Sequence, residues 1–307
     1  MKKLLFSLCV TLLLLVGAGC EKVIEFSGEE TEPRLTLSSQ AEAGERLDIY
    51  LAASVFFLSD SADGKAFLKG LDPEQGQVRC YVNGSTSSRP LVIIPKEQAS
   101  SLHYRTVDYV PAPGDHIRLE AEFPGFDPVW AETDVPLEPA FELVSATYLP
   151  SYELELTLAV TDDASYDKYY VLQPVNQTWE PSLEQFITWP LRFSSNDIIF
   201  RDMGSVSVLD AFEDETGNYF ADDLIKGQRH VFVITIPYTP EKDPTVSLLI
   251  HTAAVDESLY WYERSFALMQ AGDWTGFFSE GVTLYSNVHG GYGVFCAAAS
   301  RWLEVEW

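Results

Sequence analysis

The sequence predicts a mainly β chain: an immunoglobulin-like β-sandwich over residues 33–137, then a second β-rich domain over 138–307 that carries one amphipathic helix. Three observations predict this. Apolar residues recur at every second position in several stretches, the period of half-buried strands. Turn residues interrupt those stretches at short intervals, as in a sandwich. One stretch alone, about 256–271, changes to a helical period. With 307 residues, 46% of them hydrophobic, the chain is long enough for two cores.

Residues 1–19 read as a signal peptide and stand outside the fold. Lys2 and Lys3 give its positive start, and Leu4–Val16 its apolar run, interrupted by Ser7 and Thr11. A bilayer-spanning helix needs about twenty apolar residues, so this run suits an export signal instead. Gly17, Ala18 and Gly19 lead to Cys20. That arrangement resembles the bacterial lipobox, although Gly17 stands where leucine is usual. The resemblance implies cleavage before Cys20 and lipid on that cysteine, with two or more acyl chains giving a stable membrane anchor. Residues 20–32 are acidic and poor in large apolar side chains, as expected of a flexible stalk.

The first domain takes its strands from Leu35–Ser39, Leu47–Leu58 and Val78–Val82. Asn83-Gly84 and Gly114-Asp115 are turn signals. Between His116 and Phe123, Ile117, Leu119, Ala121 and Phe123 alternate with polar neighbours, and Val129–Val135 follows. Pro136–Pro139 marks the boundary. In the second domain Phe141–Tyr148 precedes Tyr152–Val160, where Leu154, Leu156, Leu158 and Val160 oppose Glu153, Glu155 and Thr157. Tyr169–Gln173, Ile198–Arg201, Val231–Ile236 and Val246–Ala254 are further strands. Asp256 suits a helix cap, Leu259, Tyr262, Phe266 and Met269 fall on one face, and Gly272 stands where a stop is expected.

Charge narrows the function classes. The chain has 20 basic and 46 acidic residues, a net charge of −26, which argues strongly against a nucleic-acid binder. It also opposes attraction to an anionic lipid surface and suits a soluble body on a tether. Cys80 and Cys296 remain after Cys9 is removed and Cys20 takes lipid; they suit either a disulfide of an exported chain or two buried thiols. The histidines (His103, His116, His230, His251, His289) are scattered, with no His-Glu-x-x-His pair. No Gly-x-Ser-x-Gly elbow and no phosphate-cradling glycine loop is present. No catalytic residue and no cofactor is therefore assigned, and the chain reads as a non-enzyme. His289–Gly293 (HGGYG) reads as a hairpin turn.

Two segments offer ligand chemistry. Asp210, Asp214 and Asp222 are weak calcium candidates in an acidic segment that lacks the EF-hand spacing, and a solvated loop explains them as well. Trp179, Phe186 and Trp189 fall in a loop-like stretch, 179–193. Exposed, they would form a stacking platform for sugar or a hot spot for a protein partner; buried, they would be the lid of a core.

Several motifs carry a wider resemblance: Cys20-Glu21-Lys22, Pro113-Gly114-Asp115, Pro124-Gly125-Phe126, Tyr260-Trp261-Tyr262, Gly276–Glu280, Val282–Asn287 and Gly290–Ala297. Together they resemble a family of Bacteroidota lipoproteins known only as a domain of unknown function. The most specific part is a helix followed by Ser286-Asn287-Val288 and Gly291-Tyr292-Gly293-Val294-Phe295. The resemblance covers nearly the whole chain and brings no catalytic residues. It implies a lipid-anchored surface or outer-membrane protein, often encoded near TonB-dependent receptors. The acidic residues straight after Cys20 are similar to signals that send lipoproteins of that phylum to the cell surface, which favours the surface over the periplasmic face. Asp60-Ser61-Ala62 also resembles a short O-glycosylation acceptor of that phylum. The expectation is a non-enzymatic accessory or binding partner of a TonB-dependent receptor. The alternative is a stand-alone surface binder of glycan or peptide.

Overall fold

The computed structural model describes residues 32–54, 68–95, 101–200, 218–237, 246–275 and 283–306. Residues Pro33–Trp307 form one compact unit. Cys20, Asp60-Ser61-Ala62, Asp210 and Asp214 lie outside the described residues.

Alternation builds the first sandwich. β1 (Leu35–Glu42) buries Leu35, Leu37, Ser39 and Ala41 and turns Ser38 and Gln40 outward. β2 (Asp48–Ser54), β3 (Leu68–Lys69), β5 (Leu91–Ile93) and β6 (Leu102–Thr106) continue the sheet to one side of it. A separate sheet is formed by β4 (Gln77–Val82), β7 (His116–Glu122) and β8 (Val129–Asp134), in the order β4-β7-β8. Its Cys80, Ile117, Leu119 and Val129 meet Leu35, Leu37 and Ile49 in the first core.

The second half repeats the arrangement. β9 (Ala140–Leu149), β10 (Glu153–Thr161) and β14 (Arg229–Pro237) form a sheet in the order β14-β10-β9. The stripe Leu154, Leu156, Leu158 and Val160 is buried there against Tyr170, Leu172 and Ile250. Those partners come from β11 (Tyr169–Glu180) and β15 (Val246–Val255), neighbours of β12 (Gln185–Pro190) and β13 (Asn218–Ala221).

β16 (Tyr292–Glu304) joins the halves. Its first part runs parallel to β1, from Thr36 opposite Tyr292 to Glu42 opposite Ala298. Its second part runs antiparallel to β15, from Val255 opposite Ala298 to Leu249 opposite Glu304. One sheet, ordered β12-β11-β15-β16-β1-β2-β6-β5 among the described residues, therefore serves both sandwiches. The stretch 136–139 separates two hydrophobic clusters, yet Phe295 and Ala297 of β16 belong to the first, while Leu303 of β16 packs on the second, to which Val305 just after the strand belongs.

His289–Gly293 is not the expected hairpin turn. His289 forms a bridge with Trp130 and stacks on its indole at 3.9 Å, and the glycines after it let β16 lie down on β1. A Cβ on Gly291 would fall 2.3 Å from the Leu35 carbonyl oxygen, and one on Gly293 2.0 Å from that of Leu37. Asn287 locks the same segment: its Oδ1 accepts the Phe295 N–H (2.9 Å) and its Nδ2 donates to the Phe295 carbonyl (2.7 Å).

The helix, α1 (Glu257–Thr275), begins at the expected cap, where Asp256 Oδ1 accepts the Leu259 N–H at 3.0 Å. It does not stop at Gly272 but runs on to Thr275. A glycine in helical conformation costs only about 1 kcal/mol, too little to end a helix unless the chain turns left-handed there. Leu259 and Tyr260 are buried on the sheet, whereas Tyr262, Phe266 and Met269 are only partly covered. Two further segments differ from expectation. Ile198–Phe200 is a 3-10 turn that buries Ile199, not a strand. The loop-like stretch 179–193 is largely the tight hairpin of β11 and β12. Cys80 and Cys296 are free, buried thiols in different cores; burial pushes Cys80 up to about 12 and raises Cys296 too.

Candidate functional site

The ten-stranded sheet packs both three-stranded sheets on one face. α1 covers part of the other, where Leu259 and Tyr260 sit on Val171, Ala253 and Val255. Beyond the helix this face is open among the described residues. It forms a groove of about 580 Å3, floored by Gln173 of β11, His251 of β15, and Ser300 and Trp302 of β16. The turn after β1, with Glu45 and Arg46, makes its far wall.

The groove exists because β1 and β16 part company. After Ala298 no β1 residue remains opposite β16, since the chain turns away at 43–47. The Glu42 side chain fills the fork: its Oε1 accepts the Ser300 N–H at 3.0 Å. Burial raises the Glu42 pKa, with the Ser300 and Gln40 hydrogen bonds acting against that rise. Ser300 Oγ lies 3.0 Å from His251 Nε2, and the His251 ring leans on Trp302 with centroids 4.7 Å apart. Burial lowers the His251 pKa, so the imidazole is neutral at physiological pH. Asp48, at the rim, is held by Arg105 (Nε 2.6 Å, Nη2 2.8 Å) and by His103 Nε2 (2.7 Å). The Arg105 hydrogen bonds outweigh partial burial and lower its pKa.

Ser300 and His251 have the spacing of a nucleophile and its base. Ser300, however, sits within β16 with its own N–H committed to Glu42. In this setting the pair is suited to giving and accepting hydrogen bonds with a ligand.

The residues singled out in the sequence are placed elsewhere. Trp179 and Phe186 face each other across the β11–β12 hairpin, 5.0 Å apart and edge to face at 71°. Trp189 pairs with Asn176. Because side chains alternate along a strand, Trp189 points to the opposite face, so the three rings form no single platform. All are exposed: Trp179 43%, Phe186 59% and Trp189 48%. Trp179 shares the face of Gln173, six residues further along β11 and roughly 20 Å away at about 3.3 Å per residue.

Asp222 is only 1% exposed, and its Oδ2 has no partner. Among the described residues no group of three ligating side chains is arranged to hold a metal ion. Nor is any helix among them long and apolar enough to cross a membrane.

Sequence reasoning missed the groove residues Glu42, His251, Ser300 and Trp302, which come from three strands distant along the chain. The available signal was His251, a polar break in the apolar run Val246–Val255. The segment with the most specific motif, Ser286–Phe295, has a structural part: it seats β16 on β1. No curated protein matches the chain. Residues 21–302 match the family described as "Domain of unknown function (DUF4249)", and the chain belongs to that family.

Proposed function

We propose that this chain is a lipid-tethered protein of the outer membrane, facing the cell surface, that serves as a non-enzymatic accessory of a TonB-dependent receptor. The observation that supports this reading is the β11–β12 hairpin. It ends the long sheet with Trp179 and Phe186 exposed on one face and Trp189 on the other. Exposed aromatic side chains of this kind are typical anchors of protein interfaces, and apolar patches on otherwise polar proteins mark contact sites. The lipobox-like segment ending at Cys20 supports the tether, and a net charge of −26 suits a body kept off the lipid surface.

The test is a crosslinked pull-down of the tagged chain from its native membrane, beside Cys20→Ala and a Trp179→Ala/Phe186→Ala double variant. One receptor enriched with the wild type and lost with both variants is the expected result. Equal recovery from all three would sink the proposal. The open groove favours a second reading, in which the chain captures a small ligand itself. A tethered ligand binder and a receptor accessory are compatible roles.

A further inference from the structure

The groove is nearly balanced in charge although the chain is strongly acidic. Asp48 is neutralised by Arg105, and Arg46 stands beside Glu45. Glu42 is engaged by the Ser300 N–H. A cationic ligand would find few uncompensated carboxylates here, and an anionic one would meet those that remain. An apolar ligand would strip water from Gln173, Ser300 and His251 without replacing their hydrogen bonds, which is costly. A neutral, polyhydroxylated ligand meets none of these objections. Its hydroxyl groups both donate and accept: they can donate to Gln173 Oε1 and exchange hydrogen bonds with the serine–imidazole pair. The apolar face of its ring suits the indole of Trp302, which is 49% exposed. Gln173 is held in place for this, its Nε2 donating to the carbonyls of Pro174 and Leu191 (2.9 Å each). The volume of about 580 Å3 lies within the usual range of small-ligand sites.

We infer that the groove at the fork of β1 and β16 is a subsite for a neutral oligosaccharide, with Trp302 as its stacking surface and Gln173, His251 and Ser300 as its hydrogen-bonding groups. The inference rests on the ligand-capture reading of the groove and is independent of the receptor. The edge-to-face pair Trp179–Phe186 offers no flat surface of this kind.

The experiment uses the full chain in detergent, applied to an array of neutral, sialylated and sulfated glycans and to a panel of basic and acidic peptides. The best hit is then titrated by calorimetry against wild type, Trp302→Ala, Gln173→Ala and, as a control on β9, Tyr148→Ala. The expected result is a neutral glycan whose affinity falls at least tenfold in each groove variant and is unchanged in the control. Two substitutions on different strands guard against one of them merely misfolding. A preference for charged glycans or for peptides overturns the ligand class while leaving ligand capture intact. Neutral-glycan binding that survives both groove substitutions overturns the site. A folded chain that binds nothing on the array or the panel overturns both this inference and the ligand-capture reading.

Discussion

Asp162 and Asp222 are both buried close to β11, and their surroundings drive them in opposite directions. Asp162 accepts hydrogen bonds from Lys168 Nζ (3.1 Å), the Tyr170 hydroxyl (2.9 Å) and the N–H groups of Ala164 (2.9 Å) and Gly227 (2.6 Å). Burial alone would raise its pKa, but these donors together hold it below the ordinary value. Its contribution is therefore present above the unfolded pKa and is lost as pH falls through the folded one. Asp222 has Oδ2 unpartnered; burial, then the nearby Asp162, raises its pKa. Its charged form costs stability, so its contribution is full below the unfolded pKa and is lost as pH rises through the folded one. Opposite mutational signs follow. At pH 7, Asp162→Asn should cost about 3 kcal/mol by leaving the buried Lys168 with only the exposed Asp163. Asp222→Asn should add about 1 kcal/mol, an increase in Tm of roughly 2–4 °C, and lose that advantage near pH 4. Thermal melts of both variants at the two pH values check this; a destabilised Asp222→Asn at pH 7 would count against it.

At the scale of elements, the seat of β16 on β1 tolerates no side chain at Gly293. Its φ is +112°, and a Cβ would lie 2.0 Å from a backbone oxygen that cannot swing aside. Gly44 also has a positive φ, +88°, but nothing lies within 4 Å of its Cβ position. Gly44→Ala should cost about 1–2 kcal/mol, whereas Gly293→Ala should prevent folding. Circular dichroism and yield of soluble protein check the pair, and a folded Gly293→Ala chain would show that β16 can pair with β1 at a wider spacing. Strands such as β7 and β10 were legible in the sequence because one face is buried and the other wet. β12 was not: its side chains are almost all exposed, so no alternation marks it, and 179–193 reads as loop. Had it been read as strand, alternation alone would have parted Phe186 from Trp189. Asp256 was legible as a cap because capping is local. The groove was not, since Glu42, His251 and Ser300 meet only once β16 has joined strands far apart in the chain.

For the whole molecule, the question is whether two sandwiches mean two folding units. The stretch Pro136–Pro139 lies between the hydrophobic clusters, as between separate domains. The sharing of β16 argues otherwise. The first core takes Val288, Phe295 and Ala297 from the C-terminal segment, and β1 has β16 as its neighbour opposite β2. Without that segment, residues 33–137 would expose Leu35 and Leu37 in a strand with an unpaired edge, the arrangement that favours aggregation. Asp256 ties the halves further: besides capping α1 it accepts from the Ala297 N–H (3.0 Å) and from Thr133 Oγ1 of β8 (2.8 Å). Opening either sandwich therefore disturbs the register of β16 in the other. The chain should unfold in a single calorimetric transition, with the calorimetric and van't Hoff enthalpies equal, and the 33–137 fragment should not fold by itself. Two resolved transitions, or a fragment with dispersed methyl resonances, would show that β16 is an adhesive added to independent domains. A single transition would make it the strand on which both cores depend, and would place the groove at its fork on the most cooperative part of the molecule.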